Sequence, residues 1–343
     1  MTHKNKIKLT PQSLEISEYY SAIDLGTNNC RLLIAKPKAC GFAVVSSLSK
    51  IVRLGEGVER QNFLSKQAMD RTISALSMCA QKMRDFKIIS SRNVATEACR
   101  KSSNCKEFFT RVREETGLIF EAINSQEEAR LAVLGCQNLL DERKKFGIII
   151  DIGGGSTEII WVKNNKGNYS IIDYLSLPFG VVNLSEIYRD SGPNKSSYKK
   201  IMEKIDNQLT PFCKQNKIRK NLNNKEVQML GTSGTVTTLA AINLDLQSYR
   251  RDAIDGVKLT FDQINSSTIK LNRASYDERC AMPCIGKERA ELVIPGCAIL
   301  EAICSKWPVG RLRVADRGLR EGMILELMSK NGIKVTGNPA INE

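Results

Sequence analysis

The sequence predicts an α/β protein made of two halves of similar topology with a cleft between them. The first observation is a repeat: "AIDLGTNNCRLLIA" (22–35) superposes on "IIDIGGGSTEIIWV" (149–162) when Asp24 is set on Asp151. Each copy reads apolar strand, aspartate, apolar residue, glycine, small polar loop and a second apolar run. The second observation is that a third strand candidate follows each copy, at 42–54 and at 169–178. Strand, turn, strand, connection, strand is an antiparallel meander, and the β-branched and aliphatic enrichment agrees. The third is that helical patterns follow both meanders in the same order.

Along the first half, Met69, Ile73, Leu76, Ala80 and Met83 recur at spacings of three and four and predict a helix over 66–86. "NVATEAC" (93–99) reads as a strand, "KEFFTRVREETG" (106–117) as a helix stopped by Gly117, "IFEAI" (119–123) as a short strand and 125–140 as a helix. The charged stretch "LLDERKKFG" (139–147) divides the halves. The second half repeats the order: helices near 180–217, a strand at 226–231 and a helix from Ser233. Helices near 261–273 and 287–305, a strand at 311–315 and a last helix to Ser329 complete it.

Composition narrows the chemistry. The 343 residues, 42% hydrophobic and 26% charged, suit a globular chain, and no run approaches the roughly 20 apolar residues of a membrane span. The polar start "MTHKNKIKLT" lacks the apolar core of a secretory signal, so a cytoplasmic protein is expected. The 11 cysteines are scattered singly without a CxxC, which reads as buried reduced thiols. The only histidine is His3, which excludes a Ser-His-Asp triad, a Cys-His dyad and histidine metal ligation. The net charge is +14, and nine basic residues between Lys195 and Lys225 face only Glu203 and Asp206. That run is either a solvated helix face or a field that attracts a polyanion.

Both loops suit phosphate. Glycine turns let successive N–H groups converge on one anion, through Gly26 in the first loop and Gly153, Gly154 and Gly155 in the second. Thr27, Asn28 and Asn29, and on the other side Ser156 and Thr157, add donors. Asp24 and Asp151 end their strands at the loop mouths, where a carboxylate repels a bare phosphate but can hold Mg²⁺ beside one, with Glu158 close behind. Ordinary β-hairpin turns explain one such loop, but two in register favour a phosphate site. Neither a GxxxxGK[ST] loop nor a strand-borne GxGxxG competes.

"LGTSGTVTTLA" (230–240) supplies a third candidate between a strand and a helix, where Gly231, Ser233, Gly234 and Thr235 form either an N-cap or an anion site at a helix start. Thr235 breaks the GxSxG of a nucleophile elbow. Glu128 has two readings. Ser125 and Glu128 make a capping box, which explains the glutamate without function, and a general base at a helix start facing the cleft is the alternative.

Together, "AIDLGTNNCRLLIA", "VATEACR", "NSQEEARLAVLG", "IIDIGGGSTEII", "SLPFGVVNLSE", "LGTSGTVTTLAA" and "VADRGLREGMILE" resemble the exopolyphosphatase/guanosine pentaphosphatase family in order and spacing, over about residues 20–330. The resemblance implies two ribonuclease-H-like domains of the actin-like ATPase type, 1–142 and 143–315, around an interdomain cleft, with the final segment, about 316–343, packing back on the first. It implies Mg²⁺-dependent hydrolysis of a terminal phosphoanhydride, in inorganic polyphosphate or in guanosine pentaphosphate, with a monovalent cation as a second candidate ion. It makes Glu128 the base that activates water and puts Asp24, Asp151 and Glu158 near the metal. It sets Arg100 and Arg31 on phosphate and Arg289 on nucleotide or polyphosphate. Cys30 and Cys99 fall at variable positions, and the chain resembles the short, two-domain form. A homodimer without nucleic-acid or membrane partners is expected. A phosphotransferase sharing the loops and a non-catalytic sensor are the competing classes.

Overall fold

Two sheets with one strand order account for the repeat. The computed structural model describes residues 18–39, 41–190 and 195–333, so His3, Cys40 and the segment beyond 333 lie outside the described residues. Strands β1 (Tyr19–Leu25), β2 (Asn29–Pro37), β3 (Phe42–Ile51), β4 (Ile88–Ala95) and β5 (Glu121–Ala122) form a sheet ordered β3-β2-β1-β4-β5. Strands β6 (Phe146–Ile152), β7 (Thr157–Asn165), β8 (Asn168–Leu177), β9 (Val227–Thr232), β10 (Lys258–Thr260) and β11 (Arg311–Ala315) form a second, ordered β10-β11-β9-β6-β7-β8. Read from β8 inward, this is the first order again with β10 added antiparallel at the edge. Even the irregularities correspond: the register shifts at Ile34/Ala35 in one meander and at Trp161/Val162 in the other.

The strands read as they do because they are buried on both faces. Ile148 and Ile150 turn to one side of the second sheet, with Trp161, Val236 and Ile299, while Ile149 and Ile160 turn to the other. That other side meets Ala129, Ala132, Val133 and Cys136 of the Ser125–Cys136 helix. The Leu319–Lys330 helix returns to the first sheet, where Leu319, Met323, Ile324, Leu327 and Met328 pack with Tyr20, Ala22, Leu33 and Val94. These two helices therefore fill the space between the sheets. They approach closely because three glycines line their crossing: a Cβ on Gly135 would lie 1.9 Å from the Gly318 carbonyl oxygen, and one on Gly322 would lie 2.0 Å from that of Leu131. The Lys66–Arg84 helix covers the outer face of the first sheet, started by Ser65, whose hydroxyl accepts from the Ala68 amide.

Several local expectations are corrected. The strand expected at 93–99 ends at Ala95, and residues Glu97–Lys101 form a short helix instead. The helix expected over 125–140 ends at Cys136 and passes into a 3-10 turn, Gln137–Leu139. The helix expected from 287 starts at Val293. The ten described cysteines are free thiols, and Cys30 and Cys79 approach to 3.9 Å between sulfurs. Among the described residues no helix is long and apolar enough to cross a membrane.

Candidate active site

The two hairpins end in turns of the same form. The Gly26 amide donates to the Asn29 carbonyl at 2.9 Å, and the Gly153 amide to that of Ser156 at 2.9 Å. The carbonyls of both loops are tied to neighbouring backbone: Asn28 accepts from Val52 and Arg53, Thr27 from Gly55, Gly153 from Val181 and Gly154 from Val182. The loops also rest on each other. A Cβ on Gly154 would lie 3.0 Å from the Thr27 Cβ and 3.1 Å from the Asn28 nitrogen, and one on Gly155 would lie 2.6 Å from the Thr27 hydroxyl. Behind them, a Cβ on Gly180 would come within 2.3 Å of the Gly154 carbonyl group. Only glycines allow backbone to approach this closely.

The loops form one wall of a cleft of about 550 Å³. It is lined by Asp24, Gly26, Thr27, Asn28, Asn29 and Arg31 from the first half, and by Asp151, Gly153, Gly154, Gly155, Ser156 and Glu158 from the second. Glu128, Ser233, Gly234 and Arg289 reach the same space. Two buried polar atoms at its wall, the Thr27 hydroxyl and the Asn28 Oδ1, have no protein hydrogen-bond partner, as expected of groups set to meet a polar ligand.

Other expected residues stand elsewhere. Gly231 lies inside β9, where a Cβ would meet Val236 at 2.9 Å and Leu312 at 3.1 Å, so packing explains it. The Thr157 hydroxyl donates to the Phe179 carbonyl at 2.7 Å and is fully buried. Thr235 lines a smaller recess beside Arg31, Arg289 and Val293. None of the described basic side chains between 199 and 225 lines the cleft.

Arg100 is the main surprise. Its Nε and Nη2 donate to Glu97 Oε2 at 3.0 and 2.7 Å, and its Nη1 donates to the Ile123 carbonyl at 3.0 Å and to Glu128 Oε2 at 2.5 Å. Both edges of the guanidinium are thus occupied by protein, and Arg100 is not among the cleft-lining residues. The capping box at Glu128 is also corrected. Asn124 is the N-cap, its Oδ1 accepting from the Glu127 amide at 2.8 Å, which leaves the Glu128 carboxylate to Arg100 and the cleft.

The carboxylates sit where charge is expensive. Burial drives Glu128 well above the usual carboxylate range, the charge of Glu158 adds to this, and Arg100 pulls it back in part. Burial and then the charge of Asp24 push Asp151 up to about 6, against Arg31 and a hydrogen bond from Ser233. Glu158 is raised by burial and by Asp151, although its Oε1 accepts from the hydroxyls of Ser156 at 2.8 Å and Ser176 at 3.0 Å. Asp24 is raised by burial and lowered by Arg31 and Arg320. A set of oxygen donors that mutually resist ionisation fits a hard divalent cation. Yet among the described residues no three His, Cys, Asp or Glu side chains are arranged to hold a metal. The expected trio of Asp24, Asp151 and Glu158 is therefore no closed cage. Asp24 faces Arg31 across its own hairpin, and Asp151 faces Glu158 across the other. Two carboxylates completed by substrate oxygens and water suit Mg²⁺ better than an all-protein site.

Sequence reasoning missed a second wall. Thr96, Glu97, Tyr249, Arg251, Asp316, Arg317 and Arg320 also line the cleft. Arg317 is paired with Asp255 through two nitrogens, and Arg251 donates to Glu321 at 2.7 Å. The signal was the charged cluster in "VADRGLREG", where polar residues interrupt the junction between β11 and the last helix. Ser233, which the sequence did offer as a candidate, has a φ of +77°, unusual for serine, which marks a strained strand-to-helix turn at the cleft.

A family model described as the Ppx/GppA phosphatase family matches residues 33–331. A solved structure of the Aquifex aeolicus member of the Ppx/GppA protein family is 28% identical, over 92% of this chain and 99% of its own, with a TM-score of 0.74. A second Aquifex aeolicus structure, of the PPX-GPPA enzyme, is 29% identical over 90% and 99%, with a TM-score of 0.75. An exopolyphosphatase from Cytophaga hutchinsonii shares the fold at 24% identity, over 93% and 100%, with a TM-score of 0.79.

Proposed function

The chain belongs to the Ppx/GppA phosphatase family and is a phosphoanhydride hydrolase, and on that premise we propose that it removes the terminal phosphate of inorganic polyphosphate. The observation that carries the reading is Glu128: a buried carboxylate held by a single cation, at the start of a helix between the two sheets, opening onto a cleft walled by two glycine loops.

Water attacks the terminal phosphorus in line with the leaving oxygen, and Glu128 takes its proton. General-base catalysis of this kind contributes about 10²–10⁴-fold. The raised proton affinity of Glu128 makes it a stronger base than an exposed glutamate. Amides and hydroxyls of Thr27, Asn28, Gly154, Gly155 and Ser156 cradle the transferring group, and Arg31 and Arg289 offset charge on the rest of the chain. Asp151 and Glu158 would hold Mg²⁺, which supplies charge neutralisation between the phosphates when bound.

The test is phosphate release from inorganic polyphosphate and from guanosine pentaphosphate, side by side, with Mg²⁺ and with EDTA. Preferential release from polyphosphate in Mg²⁺ supports the proposal, and preference for the nucleotide transfers the same chemistry to the other substrate. Glu128→Gln is expected to lose turnover by about 10²–10⁴-fold while still binding substrate. A variant that keeps its rate removes Glu128 from the mechanism.

A further inference from the structure

We propose that Glu97 is a positioning residue that acts through Arg100 on the Glu128 carboxylate. This rests on Glu128 being the base, and it reassigns Arg100 from substrate contact to support of that base.

The geometry is a chain of fixed contacts. Glu97 Oε2 takes the Nε and Nη2 edge of Arg100 at 3.0 and 2.7 Å, so only Nη1 points to Glu128, at 2.5 Å. The Ile123 carbonyl accepts from the same Nη1 at 3.0 Å and fixes its direction. The other oxygen of Glu97 is held by Lys101 at 3.2 Å, and Lys101 is held by Glu59 at 2.9 Å. Glu97 therefore cannot follow Arg100 if the arginine turns. Its stem is fixed as well, since it lies over Gly155, where a Cβ would come within 3.0 Å of the Glu97 Cγ. The residue that restrains Arg100 is thus seated on the second phosphate loop.

The consequence follows from arginine geometry. A guanidinium prefers to meet a carboxylate through two parallel hydrogen bonds. With its two-nitrogen edge on Glu97, Arg100 gives Glu128 one hydrogen bond and leaves the other carboxylate oxygen for water. Without Glu97, the edge is released to clamp Glu128 through both oxygens or to swing onto a phosphate. Either move displaces the base, and misplacement by about 1 Å costs about 100-fold in rate.

Glu97→Gln keeps the shape and removes the charge. The expected result is a kcat lowered by about 10- to 100-fold with KM changed by less than about 2-fold. Binding of polyphosphate, measured by calorimetry in the Glu128→Gln background, is expected to be the same with Glu97 or Gln. Arg100→Gln completes a double-mutant cycle: Glu97→Gln should add less than about 2-fold once Arg100 is gone. Glu97→Asp, one methylene shorter, cannot span Arg100 and Lys101 together and is expected to fall between the two. Thermal unfolding of each variant separates a misfolded protein from a mispositioned base. An unchanged kcat, an effect confined to KM, or rate losses that multiply across the cycle would overturn the proposal. If Glu128→Gln is inactive and Glu97→Gln is not impaired, this inference alone fails. If Glu128→Gln retains its rate, the reading beneath it fails.

Discussion

Asp151→Asn should make the protein more stable and inactive at once. Asp151 is pushed up to about 6 by burial and then by the charge of Asp24. Against an unfolded value of 3.8, that rise of 2.2 corresponds to about 3 kcal/mol of destabilisation whenever the group is charged in both states. The sign is that of a raised acid: the folded state holds the proton more tightly, so the penalty is complete above pH 6 and fades as pH falls toward 3.8. The side chain opens onto the cleft, and water there screens part of the charge, so a gain of about 1–3 kcal/mol at pH 7.5 is the expectation. Asparagine keeps the size and can still accept from Ser233. At pH 4.5 most wild-type molecules carry the proton, and the difference shrinks to about 1 kcal/mol or less. Urea unfolding in EDTA, followed at pH 7.5 and pH 4.5, measures both numbers, and phosphate release measures the lost activity. A variant no more stable than wild type at pH 7.5, or one equally stabilised at both values, refutes the reasoning.

Two glycines carry sharper steric expectations. Gly180→Ala puts a Cβ 2.3 Å from the Gly154 carbonyl group and 2.5 Å from the Gly155 nitrogen, so the second loop must move. A loss of about 1–3 kcal/mol is expected with a raised KM, and wild-type kinetics would mean that the loop does not hold the substrate. Gly135→Ala forces apart the Ser125–Cys136 and Leu319–Lys330 helices, where the new Cβ meets a carbonyl oxygen at 1.9 Å. It should cost at least as much in urea unfolding and lower kcat, because the first of these helices carries Glu128. A change within 0.5 kcal/mol would show that the helices separate freely.

What could be read from the sequence was local. The two hairpins, the helix at Phe261–Arg273 and the strand at Arg311–Ala315 follow from patterns within one segment, and the repeat made the two antiparallel meanders legible. The Tyr276–Ala281 helix was missed although Ser275 and Glu278 form a capping box. The same pattern at Ser125 and Glu128 misled, because Asn124 had already capped that helix and Glu128 had an arginine to meet. The wall of Arg251, Asp316, Arg317 and Arg320 left only the charged cluster of 316–320 as a signal, since Arg251 joins it from a distant segment by folding. The role of Arg100 was hidden in part for the same reason: Glu97 stands three residues before it on one short helix, but Glu128 reaches it from another.

The duplicated scaffold divides its labour at one register position. Across the first hairpin Asp24 faces Arg31, and at the same position across the second Asp151 faces Glu158. The first pair sets a cation beside its carboxylate, and both line the cleft. The second cannot: burial and Asp24 raise Asp151, and burial and Asp151 raise Glu158. Positive charge is therefore supplied by protein on one side of the cleft and not on the other. On the proposed reading, Arg31 would meet a phosphoanhydride directly, while Asp151 and Glu158 would need a divalent cation to do so. Glu128 stands on the second side. Its neighbours there are Glu158 and Asp151, which resist a further negative charge. Arg100 is what allows a third carboxylate to stand beside them, and Glu97 is what keeps Arg100 from neutralising it altogether.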